Sequence, residues 1–184
     1  CVDFSKQNYG MDNREVIQKK YSYDNLHRCI EEKTLNVSGT VCLRKAWKYD
    51  YAGNKVEDIA YNEKGACSTK TSFDALNRVL EIIDPEGNRT TFSYNNSFLN
   101  EWGVKVLEVK ETDPNKLQIF TIYNAQKLIQ KIRKKSSSGV ILDEVEYRYD
   151  TEGNQTREIH SVYSEGKKVN TIVTAWVFDS MVRC

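Results

Sequence analysis

The chain has 184 residues, 39% of them hydrophobic, and 27 Lys and Arg against 26 Asp and Glu leave a formal charge of +1. This length suits one domain in which folding buries about 70% of the unfolded surface, and so even a balance supplies no net field for nucleic acid or an anionic membrane. No apolar run approaches the roughly 18 residues needed for a membrane span.

Val 16, Ile 12 and Thr 12 make 40 β-branched residues, and 3 Trp, 11 Tyr and 6 Phe raise the strand-favouring set to 60, against 17 Leu and Ala together. Branched and flat side chains suit a pleated surface, so the composition predicts an all-β protein.

The predicted strands are separated by two alternating sets of reversals. Tyr23-Asp24-Asn25-Leu26-His27-Arg28 comes first, then a Gly-containing turn at 36–39, then Tyr49-Asp50-Tyr51-Ala52-Gly53-Asn54 and a turn at 62–65. Phe73-Asp74-Ala75-Leu76-Asn77-Arg78 is followed by Asp84-Pro85-Glu86-Gly87, by a weaker copy at Tyr94-Asn95 and by Asp113-Pro114-Asn115. Another weak copy at Tyr123-Asn124, a Ser-rich turn at 136–139, Tyr149-Asp150-Thr151-Glu152-Gly153-Asn154, a turn at 164–166 and Phe178-Asp179-Ser180-Met181-Val182-Arg183 complete the series. Centres recur every 10 to 16 residues. That spacing predicts consecutive antiparallel hairpins and leaves no room for a crossover helix.

Within each unit the Asp accepts hydrogen bonds from backbone N–H groups just ahead of it and opens a type I turn, after which the fifth residue needs positive φ. Gly53, Gly153, Asn77 and His27 suit that position; Phe98, Lys127 and Val182 do not. Alternation predicts one buried face. Val41, Leu43, Trp47 and Tyr49 oppose Arg44, Lys48 and Asp50, and Val145, Tyr147 and Tyr149 oppose Glu144, Glu146 and Arg148. Two residues before the unit's aromatic stand Tyr21, Trp47, Thr71, Phe92, Thr121, Tyr147 and Trp176, which are expected to form a ladder across neighbouring strands. Residues 126–135 also carry a helical pattern in Leu128, Ile129 and Ile132; the rhythm favours a strand.

Together these units resemble the YD repeat of Rhs proteins, a motif of the form Tyr-Asp-x-x-Gly-Arg-Leu with a Pro-x-Gly turn and a returning Thr-x-Tyr strand. Residues 73–94 carry most of it: Phe73, Asp74, Arg78, the turn ending in Gly87, then Thr91, Phe92 and Tyr94. The resemblance implies one long curved or spiralling sheet of consecutive hairpins, part of a shell like those of bacterial Rhs proteins, toxin-complex C components and teneurins. On this reading 1–184 is a single repeat region and a piece of a longer shell. Its motif residues are Tyr23, Asp24, Arg28, Tyr49, Asp50, Gly53, Phe73, Asp74, Arg78, Gly87, Tyr149, Asp150, Gly153, Phe178, Asp179 and Arg183. The partners implied are flanking repeats and an enclosed C-terminal toxin or effector domain, with a secreted or cell-surface location.

No catalytic constellation or cofactor site is expected. His27 and His160 are the only histidines, and Cys1, Cys29, Cys42, Cys67 and Cys184 match no metal or redox spacing. Asp84-Pro85-Glu86-Gly87 is similar to the stretch at which some Rhs shells cut themselves, but Val79 and Asn88 depart from that pattern and a plain turn is the better account. Lys127, Lys131, Arg133, Lys134 and Lys135 form the one basic run, taken as a loop rim. The alternative function is an extracellular module that stacks Trp47, Tyr147 and Trp176 against a glycan or a protein.

Overall fold

The computed structural model describes residues 18–63 and 65–177. Phe178, Asp179, Val182 and Arg183, and with them Cys1 and Cys184, lie outside the described residues. The strands are β1 (Gln18–Tyr23), β2 (Cys29–Leu35), β3 (Val41–Tyr49), β4 (Lys55–Asn62), β5 (Gly65–Phe73), β6 (Val79–Ile83), β7 (Arg89–Leu99), β8 (Lys105–Thr112), β9 (Gln118–Tyr123), β10 (Ile129–Lys135), β11 (Ile141–Tyr149), β12 (Gln155–Ser164) and β13 (Lys167–Ala175). Their hydrogen-bonded order is the order of the sequence, in one open antiparallel sheet, and no described residue is helical. The segment that carried the helical pattern is a turn followed by β10. The chain forms two compact units, Cys1–Arg89 and Thr90–Cys184.

One turn serves nearly every connection. At Asp24, Asn36, Asp50, Asp74, Asp84, Asn100, Asp113, Asn124, Ser136 and Asp150, the backbone N–H bonds the carbonyl four residues on, and the N–H three residues on returns to the first carbonyl, at 2.8–3.2 Å. The residue three positions after each of these has positive φ: His27, Gly39, Gly53, Asn77, Gly87, Gly103, Lys116, Lys127, Gly139 and Gly153. A register shift just before Tyr23, Tyr49, Phe73 and Tyr149 marks the accompanying bulge. The two alternating sets of reversals are therefore one turn type. The exceptions are the link from β4 to β5, where Asn62 pairs with Gly65, and that from β12 to β13, where Glu165 and Gly166 both have positive φ as a type I′ turn requires.

One reversal moves. β7 runs through the Tyr94-Asn95 copy to Leu99, with a shift in register between Asn95 and Phe98, and the turn forms at Asn100-Glu101-Trp102-Gly103. A turn begun at Asn95 would put Phe98 in the left-handed region; one begun at Asn100 puts Gly103 there, at φ 71°, without steric cost. Lys127 and Lys116 have no such relief and sit at φ 64° and 66°. Lys127→Gly and Lys116→Gly should each raise stability by about 0.5 to 1 kcal/mol, seen as a higher urea midpoint, since glycine removes the left-handed penalty but adds unfolded-state entropy. A lower midpoint in both would contradict the strain.

The face reading needs correction. Val41 and Leu43 are 46% and 42% exposed while Arg44, on the opposite parity, is half-buried. The buried apolar side chains among the described residues are Leu35, Val106 and Ile122, and none is fully enclosed. The described strands all belong to one sheet, and within it aliphatic stems, rings and ion pairs share the burial. Of the bulky residues two places before the aromatics, six stand on alternate strands, each opposite a residue of the intervening one: Tyr21 faces Glu32, Trp47 faces Asp58, Thr71 faces Ile82, Phe92 faces Glu111, Thr121 faces Val109 and Tyr147 faces Glu158, while Trp176 follows β13.

Candidate functional site

The feature that recurs is a clamp between the turn-opening Asp and its fourth neighbour. Asp24 Oδ1 accepts from the backbone N–H groups of Leu26 and Arg28 at 2.9 Å, and Oδ2 accepts from Arg28 Nε at 2.7 Å. Arg78 closes on Asp74 in the same way. Where the fourth neighbour is Asn, its amide takes over: Asn54 and Asn154 Nδ2 donate to Asp50 and Asp150 Oδ2 at 2.9 Å, and Asn88 to Asp84 at 2.8 Å. Gly53, Gly87 and Gly153 hold the left-handed position in these three. Asp84-Pro85-Glu86-Gly87 is thus built as an ordinary turn of the series.

In the first unit the clamps link one repeat to the next. Arg28 Nη1 donates to the Asp50 carbonyl at 2.9 Å while its guanidinium lies 4.7 Å from the Tyr49 ring centre. The Tyr49 hydroxyl donates to the Cys29 carbonyl at 2.8 Å. Asn54 Nδ2 also reaches Asn77 Oδ1 at 2.8 Å. In the second unit the Tyr149 hydroxyl repeats the Tyr49 contact, donating to the Ile129 carbonyl at 2.7 Å, again across 20 residues. Leu128 Cδ1 packs 3.6 Å from the point where a Gly153 Cβ would stand. Phe73 has no hydroxyl and pairs with Val79 at the end of its strand. Tyr23, at the end of β1, pairs in register with Cys29.

The second unit also holds an ion-pair network that the sequence did not single out. Lys131 on β10, 8% exposed, pairs with Glu101 in the β7–β8 turn and lies 3.7 Å from Glu146 on β11. Arg148 Nη2 lies 2.5 Å from Glu146 Oε1, a charge contact without hydrogen-bond alignment, and its guanidinium is 5.5 Å from the Trp102 ring centre. Arg133 meets Glu144 at 2.6 Å and Lys134 meets Asp143 at 3.7 Å. Lys131, Arg133 and Lys134 are therefore mid-strand and paired rather than on a loop rim, because β10 lies beside the acidic β11 in antiparallel register; Lys127 does sit in the turn before β10, and Lys135 lies 4.9 Å from the Phe120 ring centre. Each neighbouring carboxylate has a separate partner: Glu57 takes Lys48, Asp58 takes Lys55 and Asp143 takes His160 Nε2 at 2.5 Å.

Trp47, Tyr147 and Trp176 are all half-buried. Lys55 Nζ sits 5.1 Å from the Trp47 ring centre, burial pushes the Tyr147 phenol up, and the Trp176 backbone N–H donates to the Thr156 carbonyl. Trp47 belongs to the first unit and the other two to the second. The most exposed aromatic side chains among the described residues are instead Tyr51 and Trp102, at the middle positions of turns. Among the described residues no group of three or more His, Cys, Asp or Glu could hold a metal ion. No helix there is long and apolar enough to cross a membrane.

No protein-family model matches the chain, and no curated protein matches it. Solved structures of Tc toxin assemblies are similar to it. A pore structure of the Photorhabdus luminescens Tc holotoxin shares 13% identity over 88% of this chain, with a TM-score of 0.39. Crystal structures of TcdB2-TccC3-Cdc42 and TcdB2-TccC3 share 12% and 13% over 91% and 88%, with TM-scores of 0.39 and 0.38. The chain spans only 11 to 12% of the length of those chains.

The clamps set a pH dependence. Backbone donors lower the Asp24 and Asp74 carboxyls below their ordinary 3.8, with their arginines adding to the effect, and the amides of Asn54, Asn88 and Asn154 lower Asp50, Asp84 and Asp150. A carboxyl lowered on folding contributes stability that is complete above its unfolded value and is lost as pH falls through the folded one. Stability should therefore drop below about pH 4, and Asn at all five positions should flatten that limb, since Asn36, Asn100 and Asn124 open the same turn with an amide oxygen. Thermal midpoints between pH 2.5 and 6 measure this; an unchanged acid limb in the five-Asn variant would remove the clamps as its source.

Proposed function

We propose that the chain is a non-catalytic wall segment of an Rhs-type YD-repeat shell that encloses a C-terminal toxin or effector domain in a longer, secreted or surface-exposed polypeptide. The observation that carries this is the reuse of one clamp. An Asp or Asn, a positive-φ residue three places on and a donor four places on recur along strands laid down strictly in sequence order, with Tyr49 and Tyr149 each reaching back 20 residues. Such an arrangement extends by adding repeats and puts its regular chemistry at the turns, where it fixes geometry. The paired charges and half-buried rings fit a surface held together without a second layer.

Limited proteolysis of the longer polypeptide tests the reading. The downstream domain should be protected, and Gly53→Val with Gly153→Val should expose it, because a branched residue in the left-handed region costs about 1 to 2 kcal/mol at each turn. Equal cleavage rates in the two forms would defeat the enclosure. No contact of Trp47, Tyr147 or Trp176 favours glycan binding, so a glycan screen should be blank; saturable binding lost in Trp47→Ala would put the binding module in its place.

A further inference from the structure

Four Asn-x-Ser/Thr triplets stand in the chain, at Asn36, Asn88, Asn95 and Asn154. Such a triplet, with any residue but Pro in the middle, is the acceptor for asparagine-linked glycosylation in an exported protein. The sugar is joined to Nδ2, so the folded protein can carry one only where that nitrogen has no other duty. Two of the four are committed to clamps. Asn88 Nδ2 donates to Asp84 Oδ2 at 2.8 Å and reaches Glu86 at 3.3 Å; Asn154 Nδ2 donates to Asp150 Oδ2 at 2.9 Å and reaches Glu152 at 3.5 Å. A sugar on either nitrogen takes the place of one donor hydrogen and enters the clamp between two carboxylates. Asn95 lies within β7, in register with Glu108, so a sugar there would stand on the sheet itself.

Asn36 differs on each count. It opens the turn between β2 and β3 through Oδ1, which accepts from the Thr40 backbone N–H at 2.9 Å and from the Ser38 hydroxyl at 2.7 Å; among the described residues its Nδ2 has no partner. A glycosylated amide keeps its oxygen, so both bonds survive the modification. Val37 is 69% exposed, and Ser38, Gly39 and Thr40 are exposed with it. Among the described residues no atom lies within 4 Å of the point where a Gly39 Cβ would stand. We propose that Asn36 is an asparagine-linked glycosylation site, whose Nδ2 takes an oligosaccharide from a polyprenol pyrophosphate donor. A bond forms from Nδ2 to the anomeric carbon, the bond from that carbon to the pyrophosphate oxygen breaks, the lipid pyrophosphate leaves, and the displaced amide proton passes to solvent. This site rests on the exported location in the wall reading and not on the enclosure.

Secretion of the full 184-residue chain from a eukaryotic cell line behind a cleavable signal, with peptide mapping before and after peptide N-glycosidase, tests the site. Asn36 should carry a glycan in the secreted protein, and Asn88 and Asn154 should be bare. Val37→Pro abolishes the acceptor yet suits the fold, since Pro85 and Pro114 hold the same place in turns of this type. Ser38→Ala removes the hydroxyl of the triplet and leaves the bond from Thr40 to Asn36, while Ser38→Thr restores a triplet. The glycan at Asn36 should be lost in the first two variants and kept in the third. Enzymatic release turns Asn36 into Asp, the residue that opens the same turn at Asp50 and Asp84, so the urea midpoint should not move. A bare Asn36 in the secreted wild type, Asn88 or Asn154 occupied as fully as Asn36, or a modified Asn36 in Val37→Pro would each overturn the proposal. Native polypeptide found only inside its cells would defeat the exported location, and this site with it, even where the cell line modifies Asn36.

Discussion

Replacing Lys131 by Ala should lower the unfolding free energy by about 3 kcal/mol, the loss expected when one partner of a buried ion pair is removed. Lys131 lies against both Glu101 and Glu146, and with 8% exposure it has little water to fall back on. Glu146 is nearly as enclosed, its side chain 15% exposed, so losing the ammonium leaves it beside Arg148 alone. Glu101 is 52% exposed and can return to solvent, so Glu101→Ala should cost less than about 1 kcal/mol. Breaking a buried pair costs more than replacing it, and Lys131→Met with Glu146→Leu should recover most of the loss. Urea unfolding of the four proteins measures this, and a Lys131→Ala midpoint equal to that of Glu101→Ala would show that enclosure adds nothing.

Gly166→Ala should cost about 2 to 3 kcal/mol, more than Ala at any other described glycine. Its φ of 77° already penalises a side chain by about 1 to 2 kcal/mol. A Cβ there would also stand 2.9 Å from Val140 Cγ1, whereas Gly39, Gly53, Gly65, Gly87, Gly103 and Gly139 have open space at that point. Crowding of this kind adds about 1 kcal/mol. Gly139→Ala, with φ 84° and no neighbour, supplies the strain-only control. Val140→Ala in the Gly166→Ala background should remove the difference between the two, and thermal midpoints that leave it intact would assign the excess to the backbone.

The repeat was legible because its chemistry is local. Asp24, Asp50, Asp74 and Asp150 bond groups no more than four residues away, so a string of six letters contains both partners, and the strands between follow by elimination. The displaced turn was also written locally: Asn100 and Gly103 have the same spacing as Asp50 and Gly53, but Leu99 in place of an aromatic hid them behind the Tyr94-Asn95 copy. What the sequence could not yield was anything fixed by register. Whether Lys131 meets Glu146, or Arg28 meets Asp50, depends on bulges that shift pairing by one residue, and each shift exchanges the two faces. The face assignment failed for a different reason: alternation reports two unlike faces, but burial also needs a covering layer.

In the first unit Arg28 fastens the Asp24 turn to the Asp50 turn, and Asn54 fastens the Asp50 turn to the Asp74 turn. Mechanical load pulled through such a ribbon falls first on these links between neighbouring repeats. Under force from its amino-terminal end, that part of the chain should unzip hairpin by hairpin, giving a sawtooth of small, similar ruptures instead of one abrupt collapse.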